Sequence, residues 1–207
     1  MTFLILGFLT GLSLILAIGA QNVFVIEQGL KREYIFIVCL ICSLSDFILI
    51  FFGIFLFEFF KEYFTVIVQI FLNILLFIFL IFFVHSKIKY NYAETQLLAE
   101  NKKTSFKTIV FKTIAFTYLN AHVYSDTVFF LGNFSKNFIL SNKYLFGIGA
   151  TLSSFLFFFT IGYLSKYLSN YLNNLRTWKI INTFIIIFMS SLSLYVLFEI
   201  YYGFSVL

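Results

Sequence analysis

Long hydrophobic segments alternate with short polar ones along the whole chain. Six mainly apolar segments have the length of about 20 residues that a helix needs to cross a bilayer: 3–26, 34–57, 64–85, 108–132, 144–164 and 180–202. The polar breaks between them are short except for 86–107, which carries five Lys and two Glu. The pattern predicts an all-α membrane protein of six transmembrane helices, forming a single transporter-like domain over residues 1–207.

The polar segment 86–107 divides the predicted helices into two groups of three, in residues 1–85 and 108–207. Because three crossings reverse the direction of the chain, two such halves are inverted relative to each other, as in many secondary transporters. The first helix of each half is interrupted by small and polar residues, at Ala17–Asn22 and at Asn120–His122. Breaks at corresponding places indicate a binding site near the middle of the membrane.

The distribution of charge predicts an orientation. Only 11% of the residues are charged, against about a quarter in soluble proteins, and the net charge of +5 needs no nucleic-acid partner. Ten cationic residues follow the first, third and fifth helices: Lys31, Arg32, Lys87, Lys89, Lys102, Lys103, Lys107, Lys166, Arg176 and Lys179. The opposite side has three: Lys61, Lys136 and Lys143. The positive-inside rule then places both termini outside the cytoplasm, in a bacterial inner membrane.

Acidic residues inside hydrophobic segments are candidate functional groups, because a charge in hydrocarbon is costly and usually faces a cavity. Asp46 lies near the middle of the predicted second helix without a charged partner nearby in sequence. It either sits protonated against a neighbouring helix or binds a cation, and we favour the cation. His122 and Asp126 are four residues apart in the predicted fourth helix, so a continuous helix places them on one face. The alternative is a structural His–Asp pair.

The first helix break carries amide side chains. Gly19 and Ala20 permit local unwinding, and Gln21 and Asn22 follow them. Backbone carbonyls and amides at such a break can hold the ammonium or carboxylate of an amino acid, whereas the alternative is ordinary hydrogen bonding between helices. Gln69 and Asn73 have no supporting pattern and are assigned to ordinary hydrogen bonding between helices, whereas Ser153 and Ser154 are assigned to close helix packing.

Two cysteines, Cys39 and Cys42, lie three residues apart in the second hydrophobic segment. Cysteine of this kind usually acts as a small packing residue, so we predict that role rather than the binding of a soft metal. No metal site and no other cofactor is predicted.

Taken together, these motifs resemble the lysine/arginine exporter family, LysE. The resemblance extends over nearly the whole chain and rests on five stretches: Gly11–Ile15 leading to Ala17–Asn22, Gln28–Glu33, Ser45–Asp46, Leu119–Thr127 and Leu131–Gly132. Related homoserine/threonine exporters carry a Gly-Pro-rich element at the first break, so the motif found here favours a basic amino acid. Two features depart from the family: Ala121 replaces a usual Pro, which predicts a shallower break, and Phe157–Phe159 stand where a Trp is frequent.

The resemblance implies a secondary transporter, not an enzyme, that exports lysine or arginine without ATP hydrolysis. Protons are the expected coupling ion, and a homo-oligomer is compatible with the family. Asp46 and Asp126 are then expected to bind the cationic side chain or exchange protons. The remaining substrate contacts are expected from Gln21, Asn22, Asn120 and His122.

Other functions stay open at this point. These are an exporter of neutral amino acids or of a metal ion, and a membrane assembly subunit without transport activity. An intramembrane enzyme is disfavoured, because the sequence contains neither a His-Glu-x-x-His zinc motif nor a Gly-x-Ser-x-Gly nucleophile elbow.

Overall fold

A computed structural model of the chain describes residues 1–16, 19–60, 65–93, 104–169 and 175–206. All secondary structure in these residues is helical. The α-helices are α1 Thr2–Ile15, α2 Ala20–Lys31, α3 Ile35–Phe60, α4 Val66–Ala93, α5 Phe106–Tyr118, α6 Ala121–Tyr124, α7 Leu131–Ser135, α8 Leu140–Ser169 and α9 Leu175–Val206. A π-helical turn, Ser125–Phe130, joins α6 to α7. Most of the predicted linker, 94–103, and the motif residues 17–18 lie outside the described residues.

Four of these helices are long and apolar enough to cross a membrane alone: α3, α4, α8 and α9. Helices α1 and α2 meet the same criterion as a pair, inclined by 83° at the break between them. The chain is therefore a multi-pass membrane protein with four or five apolar crossing segments by length and composition. Several helices are longer than the hydrophobic segments that predicted them. The chain contains no Pro, which would interrupt helical hydrogen bonding, so the helices continue into the polar residues at their ends.

The predicted first helix, 3–26, is two helices, and the second of them is longer than expected. Helix α2 continues to Lys31 and ends with Arg32 in a left-handed conformation, at φ 57°. The prediction of a polar connection over 27–33 was therefore wrong for its first five residues. Glu27 and Gln28 are helical and buried. Helix α2 packs closely on α8 at this point, because Gly29 has no side chain and its Cα lies against the backbone of Gly162.

The predicted fourth helix, 108–132, is divided into α5, α6, the π-helical turn and α7. The break falls at Asn120, which has an extended conformation with φ −80° and ψ 109° and forms the N-cap of α6. Ala121 opens α6 in the position where the family has Pro. Asn120 caps this helix, so α6 begins here without a Pro ring, and the expectation of a break shallower than that of the family stays a prediction.

Close contacts fix the relative directions of the helices at the centre of the bundle. Helices α1 and α8 run parallel, since Gly7 meets the backbone of Phe146 and Gly11 meets Ala150. Helix α3 is antiparallel to α8, with Gly147 beside Ile54 at one end and Gly162 beside Cys39 at the other. In a bilayer, small residues of this kind allow the close backbone approach that stabilises helix association.

The remaining helices follow an alternating pattern. The π-helical turn and α7 run parallel to α3, because Gly53 meets Val128 while Gly132 meets Phe57. Helix α9 is antiparallel to α4, with Gly203 beside Ile70 and Glu199 beside Asn73. Helix α5 is antiparallel to α4. Lys112 of α5 lies over the ring of Phe83, in the second half of α4, whereas α6, which follows α5, lies near the first turns of α4.

Helices α3 and α8 form the centre of the bundle, and α4 and α9 pack against each other at its edge. Half of the apolar span is buried in α3 and in α8, against 28% in α4 and 22% in α9. The main core contains a cluster of aromatic rings from α2, α4 and α5: Phe24, Phe83 and Phe116. Both helix breaks border this core, because Ala20 belongs to it and Leu119 packs against it.

Candidate functional site

The two helix breaks are closed by asparagine side chains. At the first, the Asn22 Nδ2 donates to the Ile15 carbonyl at 3.0 Å, at the end of α1. At the second, the Asn120 Oδ1 accepts a hydrogen bond from the His122 backbone N–H at 3.1 Å, at the start of α6. Each side chain satisfies a backbone group that the break has freed, and such groups are costly to leave unpaired inside a membrane. Two residues predicted to bind substrate thus also hold the backbone at the breaks.

Gly19 and Ala20 contribute to the first break differently from the expectation. Gly19 is the N-cap of α2, with φ −117° and ψ −178°, which is an extended conformation that any residue adopts. The flexibility of glycine is therefore not the cause of the break. Ala20 begins α2 and is buried.

Asp46 lies at the centre of the bundle, in the middle of α3, and is 3% exposed. The Ser154 hydroxyl, in the middle of α8, donates to its Oδ2 at 2.7 Å. The assignment of Ser154 to helix packing was therefore wrong, since it is the hydrogen-bond partner of the predicted site carboxylate. Within the described residues Asp46 forms no ion pair.

Other polar groups lie around Asp46, and we call this set the midplane cluster: Gln21, Cys42, Asp46, Thr117 and Ser154. The fully buried Cys42 thiol joins them, because it interacts with the side chains of Gln21 and Thr117 and with the Asp46 carboxylate. The cluster therefore brings together α2, α3, α5 and α8 beside both helix breaks. Cys39 lies outside it and donates its thiol to the Phe158 carbonyl at 3.2 Å.

The midplane cluster has unused hydrogen-bonding capacity. The Gln21 Nε2 is buried and, apart from its interaction with the weakly accepting Cys42 sulfur, has no hydrogen-bond acceptor among the described residues. An unsatisfied buried donor and a buried carboxylate without a cation each cost free energy. A ligand that carries both a cationic group and a carboxylate would relieve both costs. An amino acid with a basic side chain has this chemistry.

His122 has a different principal partner from the one that α-helical spacing suggests. Its Nε2 lies 3.3 Å from the Glu199 Oε1 of α9, and its ring stacks on Tyr195 at 5.8 Å between centroids. Asp126 is close enough to interact electrostatically with His122, but it lies in the π-helical turn, where each turn holds more residues than in an α-helix. His122 belongs to α6 and Asp126 to the π-helical turn, so the continuous α-helix that would place the two on one face is not present here.

Glu199 is a functional candidate that the sequence reasoning missed. Besides His122, it accepts hydrogen bonds from the Asn73 Nδ2 at 3.2 Å and the Tyr195 hydroxyl at 2.8 Å. Hydrogen bonding between helices, the interpretation given to Asn73, is confirmed, because Asn73 in α4 donates to this carboxylate in α9. The available signal was the one used for Asp46, an acidic residue within a predicted membrane helix, 180–202.

A cavity of about 470 Å³ adjoins Glu199 between α4, α6 and α9. Its polar lining comes from five residues: Gln69, Asn73, His122, Ser125 and Glu199. Asp46 and Gln21 do not line it. The predicted site residues thus fall into two groups, with Gln21 and Asp46 in the midplane cluster and His122 at the cavity.

A further acid, Glu27, was also missed because its segment was predicted as a loop. It is 2% exposed, and its Oε1 lies 2.7 Å from the Lys31 Nζ, one turn further along α2. This pair lies at the Lys-rich end of the bundle, where Arg32 donates its Nε–H to the Ser169 hydroxyl.

Sequence comparisons give the same family as the motifs. The family model described as "LysE type translocator" matches residues 12–199. The arginine exporter protein ArgO of Pectobacterium carotovorum subsp. carotovorum (strain PC1) is 33% identical over 190 residues, covering 91% of this chain and 93% of that protein. ArgO of Pectobacterium atrosepticum is 32% identical, over 86% and 88% of the two chains. ArgO of Salmonella typhimurium (strain LT2) is 30% identical, over 85% and 84%. No solved structure matches the chain significantly.

Proposed function

The chain belongs to the LysE type translocator family, and on that premise we propose that it is a secondary transporter exporting basic amino acids, L-arginine or L-lysine, across the bacterial inner membrane. The relatives described above are arginine exporters that match most of its length. The resemblance to the family that the sequence motifs indicated is confirmed.

The observation that carries the proposal is the Asp46 carboxylate, buried at mid-depth beside two helix breaks. A cationic substrate loses hydration when it enters the membrane, and a carboxylate there offsets the loss. Asp46 receives one hydrogen bond, from Ser154, and no protein cation among the described residues. It is therefore oriented for a cation that the substrate brings.

The other site residues have distinct proposed roles. Gln21 has a free buried donor close to Asp46, so it binds the substrate carboxylate. Asn22 and Asn120 hold the breaks and present the neighbouring backbone groups to the α-amino and α-carboxyl groups. His122 lines the cavity and Asp126 is close enough to interact with it, so we assign to both residues the exchange of protons or the binding of the cationic side chain.

We further propose six crossings with both termini outside the cytoplasm. The alternating directions of α1–α2, α3, α4, α5–α7, α8 and α9 support six passages through the bundle. The end of the bundle that holds Lys31, Arg32, Lys107 and Lys166 is the cytoplasmic one under the positive-inside rule. The other end holds both termini, with Lys136 and Lys143.

Two inverted three-helix halves are consistent with the pattern of contacts. Exchanging the halves maps α1–α2 onto α5–α7, α3 onto α8 and α4 onto α9. The pairs α3 with α8 and α4 with α9 are then each mapped onto themselves, and both are extensive contacts. The contact of α1–α2 with α8 maps onto that of α5–α7 with α3, and these two are also both observed. An inverted repeat places the site where its first helices break.

The test of the proposed function is efflux from living cells. Bacteria that lack their own exporters are loaded with dipeptides of labelled arginine, lysine or threonine, with and without this chain. We expect faster efflux of arginine and lysine, sensitive to a protonophore, and no change for threonine. Efflux of threonine alone would indicate a neutral substrate, and no change for any of the three would contradict an amino acid exporter.

A further inference from the structure

The cavity between α4, α6 and α9 is separate from the midplane cluster. It is formed by the first turns of α4, the last turns of α9 and the start of α6. The first turns of α4 and the last turns of α9 lie at the end of the bundle that holds both chain termini. With the orientation proposed above, the cavity therefore lies on the extracytoplasmic side of Asp46.

A carboxylate oriented by neighbouring donors forms the polar wall of this cavity. The Glu199 Oε2 accepts from Asn73, and its Oε1 accepts from Tyr195 and lies near His122. Hydrogen bonds to a carboxylate stabilise its charged form and fix its direction. The Glu199 side chain is still 28% exposed, so part of it faces the cavity.

The rest of the wall is suited to a flat or extended cation. Phe198 and Tyr202 provide aromatic surface, and Gln69 and Ser125 provide hydrogen-bonding groups. Cations bind to aromatic faces, and a guanidinium pairs with a carboxylate while it stacks on a ring. The cavity thus combines the two features that recognise a basic side chain.

The contact between His122 and Glu199 is loose enough to be exchanged. Its 3.3 Å separation exceeds the roughly 2.7–2.9 Å of strong charge-assisted hydrogen bonds. The His122 side chain is 46% exposed, so it can move without displacing packed core. A ligand cation that enters the cavity can therefore take its place on the carboxylate.

We propose that this cavity is a second cation-binding site, in which the guanidinium or ammonium group of the departing substrate replaces His122 as the partner of Glu199. The inference rests on the proposed function, because it identifies the cavity as the exit side of the same path. It assigns the ligand role to Glu199, with Asn73 and Tyr195 as the donors that orient its carboxylate, and it makes His122 the group that occupies the site between transport events.

The experiment uses a single reporter cysteine, Gln69→Cys, in the otherwise unchanged full chain. The two native cysteines, Cys39 and Cys42, are both fully buried, and the wild type measures their background. Intact cells are treated with membrane-impermeant methanethiosulfonate reagents, one cationic and one anionic. External arginine is then tested as a protecting ligand, with citrulline as its uncharged isostere.

We expect Gln69→Cys to be labelled from outside, several-fold faster by the cationic reagent. Millimolar arginine should slow labelling several-fold, and citrulline should not. Adding Glu199→Gln, which keeps size while removing charge, should abolish both the preference for the cationic reagent and the protection by arginine. Adding Tyr201→Phe on the same helix, at a side chain 75% exposed on the outer surface, should leave both unchanged. Ser125→Cys provides a second reporter if Gln69→Cys reduces the amount of protein in the membrane.

Several results would overturn the second site. These are reporters labelled only after permeabilisation, equal protection by arginine and citrulline, or protection that survives Glu199→Gln. Arginine efflux measured in the same cells separates this failure from that of the proposed function. Normal efflux without protection removes the cavity site and leaves the exporter, whereas a wild type without efflux removes the function itself.

Discussion

Polar residues in the middle of this bundle have two different roles. Asn22 and Asn120 form hydrogen bonds with backbone groups at the helix breaks. Asp46 and Gln21 retain a carboxylate and a donor that the protein itself uses only in part. In the proposed function the first pair maintains the shape of the site and the second pair binds the ligand, so substitutions should separate the two effects.

Asp46→Asn tests the charge of the proposed site. The amide keeps the size of the side chain and can still accept from Ser154, so we expect normal membrane abundance. Losing a charge-assisted contact worth about 1.5–3 kcal/mol should reduce efflux of arginine and lysine by roughly tenfold to a hundredfold. The measurement is dipeptide-driven efflux normalised to the amount of protein in the membrane.

The matched control for Asp46→Asn is Ser191→Ala in α9, since this exposed hydroxyl bonds only to the Phe188 carbonyl of its own helix in the described structure. It should leave efflux unchanged. Near-normal efflux from Asp46→Asn would mean that Asp46 is a structural carboxylate, and the choice of a basic substrate would then rest on family membership alone.

Gln21→Leu should have opposite effects on stability and transport. Replacing a buried donor that lacks an acceptor with an apolar group of similar size removes an unfavourable term of about 1–3 kcal/mol. We therefore expect thermal stability in detergent to rise or stay equal while efflux falls at least several-fold. A large loss of stability would show that the Gln21 amide is satisfied in the protein and that no donor is held for the substrate.

At the residue scale the sequence was informative about which acids matter and less so about their partners. Asp46 was identified from the sequence as a candidate site residue, because a carboxylate inside a hydrophobic segment is exceptional. Ser154 was not, because hydroxyls are common in membrane helices and the partner lies 108 residues away. His122 and Glu199 are likewise brought together only by the packing of α6 near α9.

At the scale of the elements, glycines determine how closely the helices approach. A Cβ on Gly149 would overlap with the carbonyl oxygen of Leu4, and one on Gly53 would lie 2.5 Å from the Val128 carbonyl oxygen. The α1–α8 contact and the contact of α3 with the π-helical turn therefore both depend on the absence of a side chain. Both contacts flank the midplane cluster.

Gly149→Ala should push α1 away from α8, because the obstructing atom is backbone and cannot rotate aside. Overpacking of this kind costs about 1–3 kcal/mol or more, so we expect a lower melting temperature and less protein in the membrane. Gly19→Ala is the matched comparison, since a Cβ there meets nothing within 4 Å and the backbone is extended. Equal stability of the two variants would contradict the close α1–α8 packing.

The existence of the helices followed from hydropathy, but their interruptions were only partly predictable. Small and polar residues indicated a break at each place, but the predicted segments 17–22 and 120–122 are too long, because α2 begins at Ala20 and α6 at Ala121, and residues 17–18 lie outside the described residues. The division of 108–132 into four helical pieces was not predicted, because a π-helical turn is an effect of tertiary packing that leaves no periodic signal in the sequence. The burial of Glu27 was also not predicted, because its charge indicated a polar loop where α2 in fact continues.

At the scale of the whole molecule, the helices of residues 1–85 pack against those of residues 108–207 and do not form a separate bundle. Helix α1 packs on α8, α4 on α9, and α3 on both α8 and α7. The division at the polar segment 86–107 therefore separates the chain in sequence without separating two cores. A site between such halves can open to either side when one set of helices moves against the other.

The proposed orientation can be tested with reporter fusions at both termini and at Thr104. We expect both termini to be extracytoplasmic and Thr104 cytoplasmic, because the cationic end of the bundle should face inward. A cytoplasmic C-terminus would contradict the assignment as a whole. An N-terminus in the cytoplasm would mean that α1 and α2 enter and leave on the same side, leaving five crossings, and would remove the inverted repeat.

The parallel packing of α1 on α8 also has a consequence for how the protein is made. Gly11 contacts Ala150, so about two thirds of the 207-residue chain separates the two surfaces. At a synthesis rate of about 5–20 residues per second, α8 leaves the ribosome on the order of ten seconds after α1. During that interval the glycine face of α1 has only lipid, or a chaperone of the insertion machinery, to cover it. A nascent chain arrested before Leu140 should therefore be a preferred substrate for membrane quality-control proteases.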